Sequence, residues 1–557
     1  MIEENKTETL EPPTTLTGVL RYLGPGLIIA AAIVGSGELI ATTKTGAQAG
    51  IDLLWLIILG CLIKVFVQVE LTRCTISESK TPLATLNHVP GPSLPSPRGT
   101  RSNWVLWLWL IMMVTTIGQL GGIVGGVGQA FALTLPITSD YAEATRRPSL
   151  SEFNRYIEQR VDAENGWVEL DGTDPSPAEK ARTLQGFKDL NRRVDAAGAH
   201  GEEVITLLES GTEESLAKAK QLVDPPTLDD KYWATAVAIL TAGFLFIGRY
   251  SLIQNLSMAL VVIFTLITIG NVIGLQQTEY ALSSGEIARG LSFGVPAARG
   301  GINPLVTALA AFGIIGVGAT ELISYPYWCL EKGYAKFAGP RDTSDGWKNR
   351  ANGWCRVLRF DAFISMVIYT IATIAFFYIG VAVLHNEGRD PEGMRMVSTL
   401  ASAYVPVFGA FAKWLFLGGA IAVLYSTFLV ANAANARMIS DGMRVVGLLP
   451  DSDASYNKSV VVLSVLLPFA CLAIFCSGWD PVGLILIAGL TQFFMLPVLG
   501  FSAVYFRYRV TDSRLLPGRL WDVMLVISSA ALLVAGAYGV WKKGPDLLNY
   551  VGGVFGA

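Results

Sequence analysis

The chain has 557 residues, of which 52% are hydrophobic and only 16% charged, with a mean hydropathy of +0.46 and a net charge of −3. Ordinary soluble domains carry about 25% charged residues, so this much apolar sequence exceeds what a soluble core absorbs, whereas a bilayer takes it readily. The near-neutral balance leaves no basic stripe for nucleic acid, and no P-loop, nucleophile elbow or Ser/His/Asp arrangement gives enzyme chemistry a foothold.

In chain order, residues 1–21 open with MIEENKTETLEPPTT, which is polar and acidic. That stretch lacks the basic n-region of a cleaved signal peptide, so the first helix is expected to stay. A helix crossing the hydrocarbon needs about 20 apolar residues. Such stretches lie near 22–46, 51–72 and 104–134, making residues 22–135 the first three spans. Residues 136–230 interrupt the pattern, with Asp and Glu in excess of Lys and Arg and stretches such as EEVITLLESGTEESLAKAKQL that read as amphipathic surface helices. Residues 231–557 resume with spans near 232–249, 252–275, 304–331, 357–384, 404–432, 459–477, 481–506 and 520–541. The fold class expected is therefore an all-α polytopic membrane protein of about eleven spans with a helical insert.

Lys and Arg in the short loops set the orientation. With the N-terminus inside, inside loops hold Arg73, Lys80, Arg98 and Arg101, then Arg249, then Lys332, Lys336, Arg341, Lys348, Arg350, Arg356 and Arg359. Arg437, Arg444, Lys458, Arg507, Arg509, Arg514 and Arg519 follow, against only Arg289, Arg299, Arg389 and Arg395 outside. An inner cell membrane, a cytoplasmic N-terminus, an external C-terminus and an extracytoplasmic insert are expected. The insert reads as a passive cap whose acidity concentrates cations only weakly, since salt screens such a field.

Cys61, Cys74, Cys329, Cys355, Cys471 and Cys476 avoid the insert and form neither a disulfide framework nor a metal-type cluster. His88, His200 and His385 read as scattered loop residues without ligand spacing. The run GGIVGGVG in the third span reads as a close helix contact. Asn432 and Asn435 are expected to end the eighth span.

Two spans carry acids beside glycines. The first contains Gly35, Ser36, Gly37 and then Glu38. Glycines weaken a helix and free carbonyls toward a ligand, and a carboxylate at that depth is costly unless it faces a cavity or a partner. A partner for Glu38 would be Lys44 or Lys64. The sixth contains Gly316 and Gly318 before Thr320 and Glu321, with Pro326 five residues beyond the acid. Proline cannot donate to the helix ladder, so a second break is expected there, with Glu321 as either a site acid or a cap for the broken helix. Interrupted helices in corresponding places, five spans apart, point to an inverted-repeat transporter with a midplane site.

The stretch GPGLIIAAAIVGSGELIATTKTGAQAGIDLLW resembles the first span of the Nramp divalent-metal transporters, LTQFFMLPVLGF resembles their tenth, and GVGAT the start of their sixth-span break. The resemblance covers nearly all the membrane part but not residues 136–230. It implies the LeuT-type fold, a five-plus-five inverted repeat with one further helix. Where the family has Asp-Pro-Gly-Asn, this chain has Gly35-Ser36-Gly37-Glu38, and where it has Ala-Thr-Val-Met-Pro-His, this chain has Ala319-Thr320-Glu321-Leu322-Ile323-Ser324. The family's third-span acids correspond to Thr116 and Gln119, and Gln492 matches a tenth-span glutamine that can join the metal shell.

A site that loses its methionine and keeps two acids fits a hard cation better than a soft one. The resemblance thus implies a secondary transporter of a divalent metal, magnesium or manganese favoured, as in the divergent magnesium-transporting relatives of the family. Glu38 and Glu321 would be its metal ligands, with Gly35, Ser36, Gly318, Thr320 and Gln492 completing an oxygen shell. The ion is then the substrate and no cofactor is expected; the membrane and the ion are the partners. With Thr116, Gln119 and Ser324 uncharged, proton coupling is expected to be weak or absent. Two rivals stay open. One is a LeuT-type carrier of a small organic solute such as an amino acid, in a cavity widened by Gly35, Ser36 and Ser324. The other is a non-transporting receptor or sensor using the insert.

Overall fold

Ten helical runs among the described residues are long and apolar enough to cross a membrane, and the first of them, Pro25–Glu78, has 54 residues. At 1.5 Å per residue one such helix would extend about 80 Å, far beyond a hydrocarbon layer of about 30 Å. The run breaks where helix Thr43–Ala49 ends on Gly50, whose φ of +60° only glycine adopts freely. It therefore holds the first two expected spans, and eleven spans result. The computed structural model describes residues 9–96, 101–165, 177–247, 250–296 and 303–555; Arg98, Arg249 and Arg299 of the charge count lie outside the described residues.

Burial sorts the spans into centre and rim. The sixth span, Pro304–Lys332, has 94% of its apolar window buried, against 28% for the ninth, Asp453–Cys476, and for Arg519–Trp541 of the eleventh. Exposed Ile239, Phe246, Leu266 and Val534 face outward on the fourth, fifth and eleventh spans, where lipid would cover them at no hydrophobic cost. The third span, Trp104–Thr134, packs through its glycine run as expected: Gly122 lies against the Pro481 carbonyl, Gly125 against the Phe475 ring and Gly128 against the Asp230 carbonyl. A short antiparallel pair, Ser93–Pro95 with Arg101–Asn103, precedes that span and carried no alternating pattern to announce it.

Asn432 and Asn435 do not end the eighth span, which runs from Ala412 to Val445. The Asn432 amide donates to the Phe428 carbonyl one turn back, 2.8 Å, so the buried side chain finds its partner within the continuing helix. His385 is likewise not a loop residue. It closes a π-helical extension, Gly380–His385, of the seventh span Asp345–Ile379, and its Nδ1 lies 2.8 Å from the Ala47 carbonyl.

The insert holds helices Leu150–Asn165, Pro177–Ala196, Gly198–Ser210 and Glu213–Val223. Phe153, Leu190, Val194, Val204, Leu208, Ala219 and Val223 form an apolar cluster of their own beneath it. It is tied to the loop between the seventh and eighth spans. Arg395 pairs with Asp224 and donates to the carbonyls of Arg147 (2.7 Å) and Val223 (2.7 Å). The Tyr141 hydroxyl donates to the Met394 carbonyl, and the Ser151 amide to Glu392 (3.2 Å). The same loop reaches the end of the first span, where Lys44 donates to Asp390 (2.6 Å) and to the Pro391 carbonyl (3.1 Å). Among the described residues, these contacts anchor the insert to the membrane part through that loop.

Candidate functional site

The first span is widened rather than broken. Helix Pro25–Ile33 passes into a π-helical segment, Val34–Thr42, and on into Thr43–Ala49. Glycine permits this because two neighbours press on the backbone: Thr427 of the eighth span against Gly35 and the Ile314 carbonyl against Gly37. The Gly35 amide donates to the Thr427 hydroxyl (3.1 Å), which itself donates to the Ala31 carbonyl (3.1 Å). The Gly37 carbonyl accepts from Thr42 (2.9 Å). Neighbouring hydroxyls thus hold the polar groups that a wider helical turn releases.

The sixth span is truly broken, but at its glycines. Helix Pro304–Ile314 ends on an extended Ile315, Gly316 has φ +59°, and Gly318 caps helix Ala319–Lys332. Pro326 sits inside that second helix and breaks nothing; the break falls at the glycines of the interrupted span, more than two turns upstream of the proline, where positive φ selects glycine.

Glu38 is fully buried. Its Oε1 accepts the Gly316 amide of the sixth-span break (3.0 Å) and the Thr373 hydroxyl of the seventh span (2.9 Å). Its Oε2 is buried and makes no hydrogen bond among the described residues. Neither expected lysine forms an ion pair with it among the described residues: Lys44 is bound to Asp390, and Lys64 donates to the freed carbonyls of Phe312 and, at 2.8 Å, Ile315.

Glu321, partly buried, lies in the first turn of helix Ala319–Lys332. A side chain at Gly318 would collide with its Oε2 and with Oε1 of Gln492, so the glycine makes room for both. Gln492 accepts the Thr320 amide (3.2 Å) and donates to Gln119 (3.0 Å), which donates to Ser36 (3.0 Å). Thr116 and Thr320 hydroxyls stand 3.3 Å apart. A neutral chain therefore links the first, third, tenth and sixth spans. Of the expected site residues, Ser36, Gly318, Thr320, Glu321 and Gln492 are brought together by this chain. Glu38 sits on the other part of the same break, and Gly35 is turned to the eighth span.

Among the described residues no three His, Cys, Asp or Glu side chains gather at one point. A cation here would depend on the two acids and on neutral oxygens. Sequence reading missed Thr373, a hydroxyl in an apolar run with nothing to single it out. It also missed Asp361, fully buried in the seventh span, which accepts the amides of Gly24 (2.9 Å) and Gly26 (2.5 Å) and the Tyr325 hydroxyl (2.9 Å). An anion at those amides caps the start of the first span. The signal was present, since an acid inside the apolar run RFDAFIS meets the same criterion that singled out Glu38.

A family model described as natural resistance-associated macrophage protein-like, Nramp, matches residues 215–542. Among solved structures, a histidine-to-alanine mutant of the Eremococcus coleocola manganese transporter matches with a TM-score of 0.57 and 14% identity, covering 99% of this chain and 94% of that one. The same transporter in complex with an aromatic bis-isothiourea substituted compound matches with a TM-score of 0.53 and 14% identity, covering 100% and 95%. At such identities the likeness shows the fold alone, the LeuT-type arrangement. No curated protein sequence matches the chain.

Proposed function

This chain belongs to the Nramp family, and from that premise we propose that it carries a divalent metal cation, magnesium or manganese, across the inner cell membrane by alternating access. The observation that carries the reading is Glu38 Oε2, a buried carboxylate oxygen with no hydrogen bond among the described residues. Such an oxygen is expensive to bury, and a cation arriving beside it removes the cost. Glu38 and Glu321 supply the negative charge, and Ser36, Thr320, Gln492 and carbonyls near Gly35 and Gly318 supply neutral oxygens. An all-oxygen shell suits magnesium, calcium and manganese, and magnesium in particular keeps some of its water and needs only one or two carboxylates.

Access alternates when the first and sixth spans rock against the rest, with Gly316 and Gly318 as the flexible link in the sixth. In this reading residues 1–21 form a cytoplasmic tail, 22–135 and 231–557 the membrane part with the C-terminus outside, and 136–230 an extracytoplasmic cap. A second reading, a carrier of a small organic solute bearing an amine, is favoured by one observation: the buried Lys64 ammonium sits at the same sixth-span break, on the Phe312 and Ile315 carbonyls, and lowers the charge left for a divalent ion. Proteoliposome uptake distinguishes the two. The first reading expects magnesium or manganese uptake that amino acids leave untouched; sodium-dependent amino-acid uptake with no response to divalent ions would replace it with the second.

A further inference from the structure

Among the helical hydrogen bonds missing at the centre of the sixth span, one has both of its halves taken by an acidic and a basic side chain. In a continuous helix the Gly316 amide would donate to the Phe312 carbonyl four residues back. Here that amide donates to Glu38 at 3.0 Å, and that carbonyl accepts from the Lys64 ammonium. The same ammonium takes the Ile315 carbonyl at 2.8 Å and lies 4.8 Å from the centre of the Phe312 ring. Lys64 is fully buried, in the second span, and forms no ion pair among the described residues.

We propose that Lys64 is a tethered stand-in for the cargo: its ammonium occupies the carbonyl cup opened by the sixth-span break while the site is empty, and it must leave that cup when a cation binds. The inference rests on the divalent-cation reading of the site. With both acids ionised, two carboxylates and one ammonium carry a single net negative charge. A divalent ion added beside an unmoved ammonium would bury excess positive charge, which a low-dielectric interior opposes strongly. An ammonium withdrawn from Phe312 and Ile315 relieves that repulsion and releases two carbonyl oxygens of the kind a hard cation takes. Lys64 thereby limits the empty site to one uncompensated negative charge.

The contrasting possibility is that Lys64 only caps two carbonyls. That role needs a donor but no charge, so Lys64→Gln separates the two. Binding of magnesium and manganese to the purified, full-length protein is measured by calorimetry for the wild type, Lys64→Gln and Lys64→Arg, with thermal stability followed alongside. The account expects Lys64→Gln to bind the ion at least about tenfold more tightly, a gain of about 1.4 kcal/mol, and Lys64→Arg to gain nothing. Unchanged or weaker binding by a folded Lys64→Gln overturns the inference while leaving the cargo reading intact; absence of divalent binding in the wild type overturns both. Should Lys64→Gln fail to fold, reductive methylation of the wild type read by mass spectrometry decides. Lys64 is expected to be protected without the ion and modified in its presence, and unchanged protection at saturating magnesium and manganese overturns the inference.

Discussion

Glu38 and Glu321 face the same break by different routes, one through the Gly316 amide and the other beside Gly318. Both acids could be singled out in advance because a carboxylate in an apolar run is costly. Their partners could not, since Gly316 and Thr373 lie 278 and 335 residues from Glu38 and no local pattern encodes such contacts. Glu38→Gln and Glu321→Gln are each expected to lower divalent uptake at least about tenfold, the rate change of about 1.4 kcal/mol, with normal membrane insertion; wild-type uptake in both would move the site elsewhere. Leu322, next to Glu321 in sequence, is buried, and the sequence resemblance sets it against the family's methionine. Leu322→Met is expected to shift selectivity toward cadmium, as a thioether favours soft ions, and an unchanged selectivity profile in a folded mutant would show that Leu322 does not face the ion. Outside the membrane, burial holds the Glu392 carboxyl up at about 7, with Lys44 pulling it down and Asp390 pushing it up. An acid whose proton is held more tightly in the folded state stabilises the fold at low pH and loses that contribution as pH rises from about 4.5 through about 7. Thermal stability of the wild type is therefore expected to fall between about pH 5 and pH 8 relative to Glu392→Gln; parallel pH profiles would contradict this.

Among the elements, the sixth span was the most readable and the first the most deceptive. Both carry glycine pairs before an acid, yet only the sixth breaks. The difference lies in what presses on the glycines. At Gly35 the Thr427 hydroxyl takes the amide, so the helix widens and survives, whereas at Gly316 a positive φ ends it. Proline misled in the opposite direction, because Pro326 is accommodated within a helix that starts only seven residues earlier. Gly316→Ala is expected to cost roughly 1–3 kcal/mol of stability from backbone strain, since its Cβ would stand 3.0 Å from Cα of Cys61 and 3.2 Å from the Tyr369 ring. Uptake should fall with it, and a stable, fully active Gly316→Ala would remove the hinge from the mechanism. Replacing residues 140–226 by a flexible linker is expected to preserve insertion and basal uptake. It should lower thermal stability, because Arg395 loses Asp224 and the Arg147 and Val223 carbonyls. Lost uptake with normal insertion would make the insert a gate.

At the scale of the whole molecule, span number and order followed from apolar length alone, because a hydrocarbon layer imposes one length on every helix that crosses it. The joint between the first two spans came out as Gly50 with its positive φ. What apolar length could not convey was the polar chain Ser36–Gln119–Gln492–Thr320, assembled from four spans that are neighbours only in space. That chain carries no charge, and with Ser324 also neutral it supports transport driven by the ion's own gradient and the membrane potential rather than by protons. For a divalent ion the potential is worth about 4.6 kcal/mol per 100 mV, twice the single-charge figure. The most direct test loads proteoliposomes with a pH-sensitive dye and follows manganese uptake at an imposed inside-negative potential, in the wild type and in Glu38→Gln. The account predicts uptake that rises with the potential, vanishes in Glu38→Gln and leaves the internal pH unchanged; no potential-driven manganese or magnesium uptake in the wild type, or equal uptake in Glu38→Gln, would contradict it.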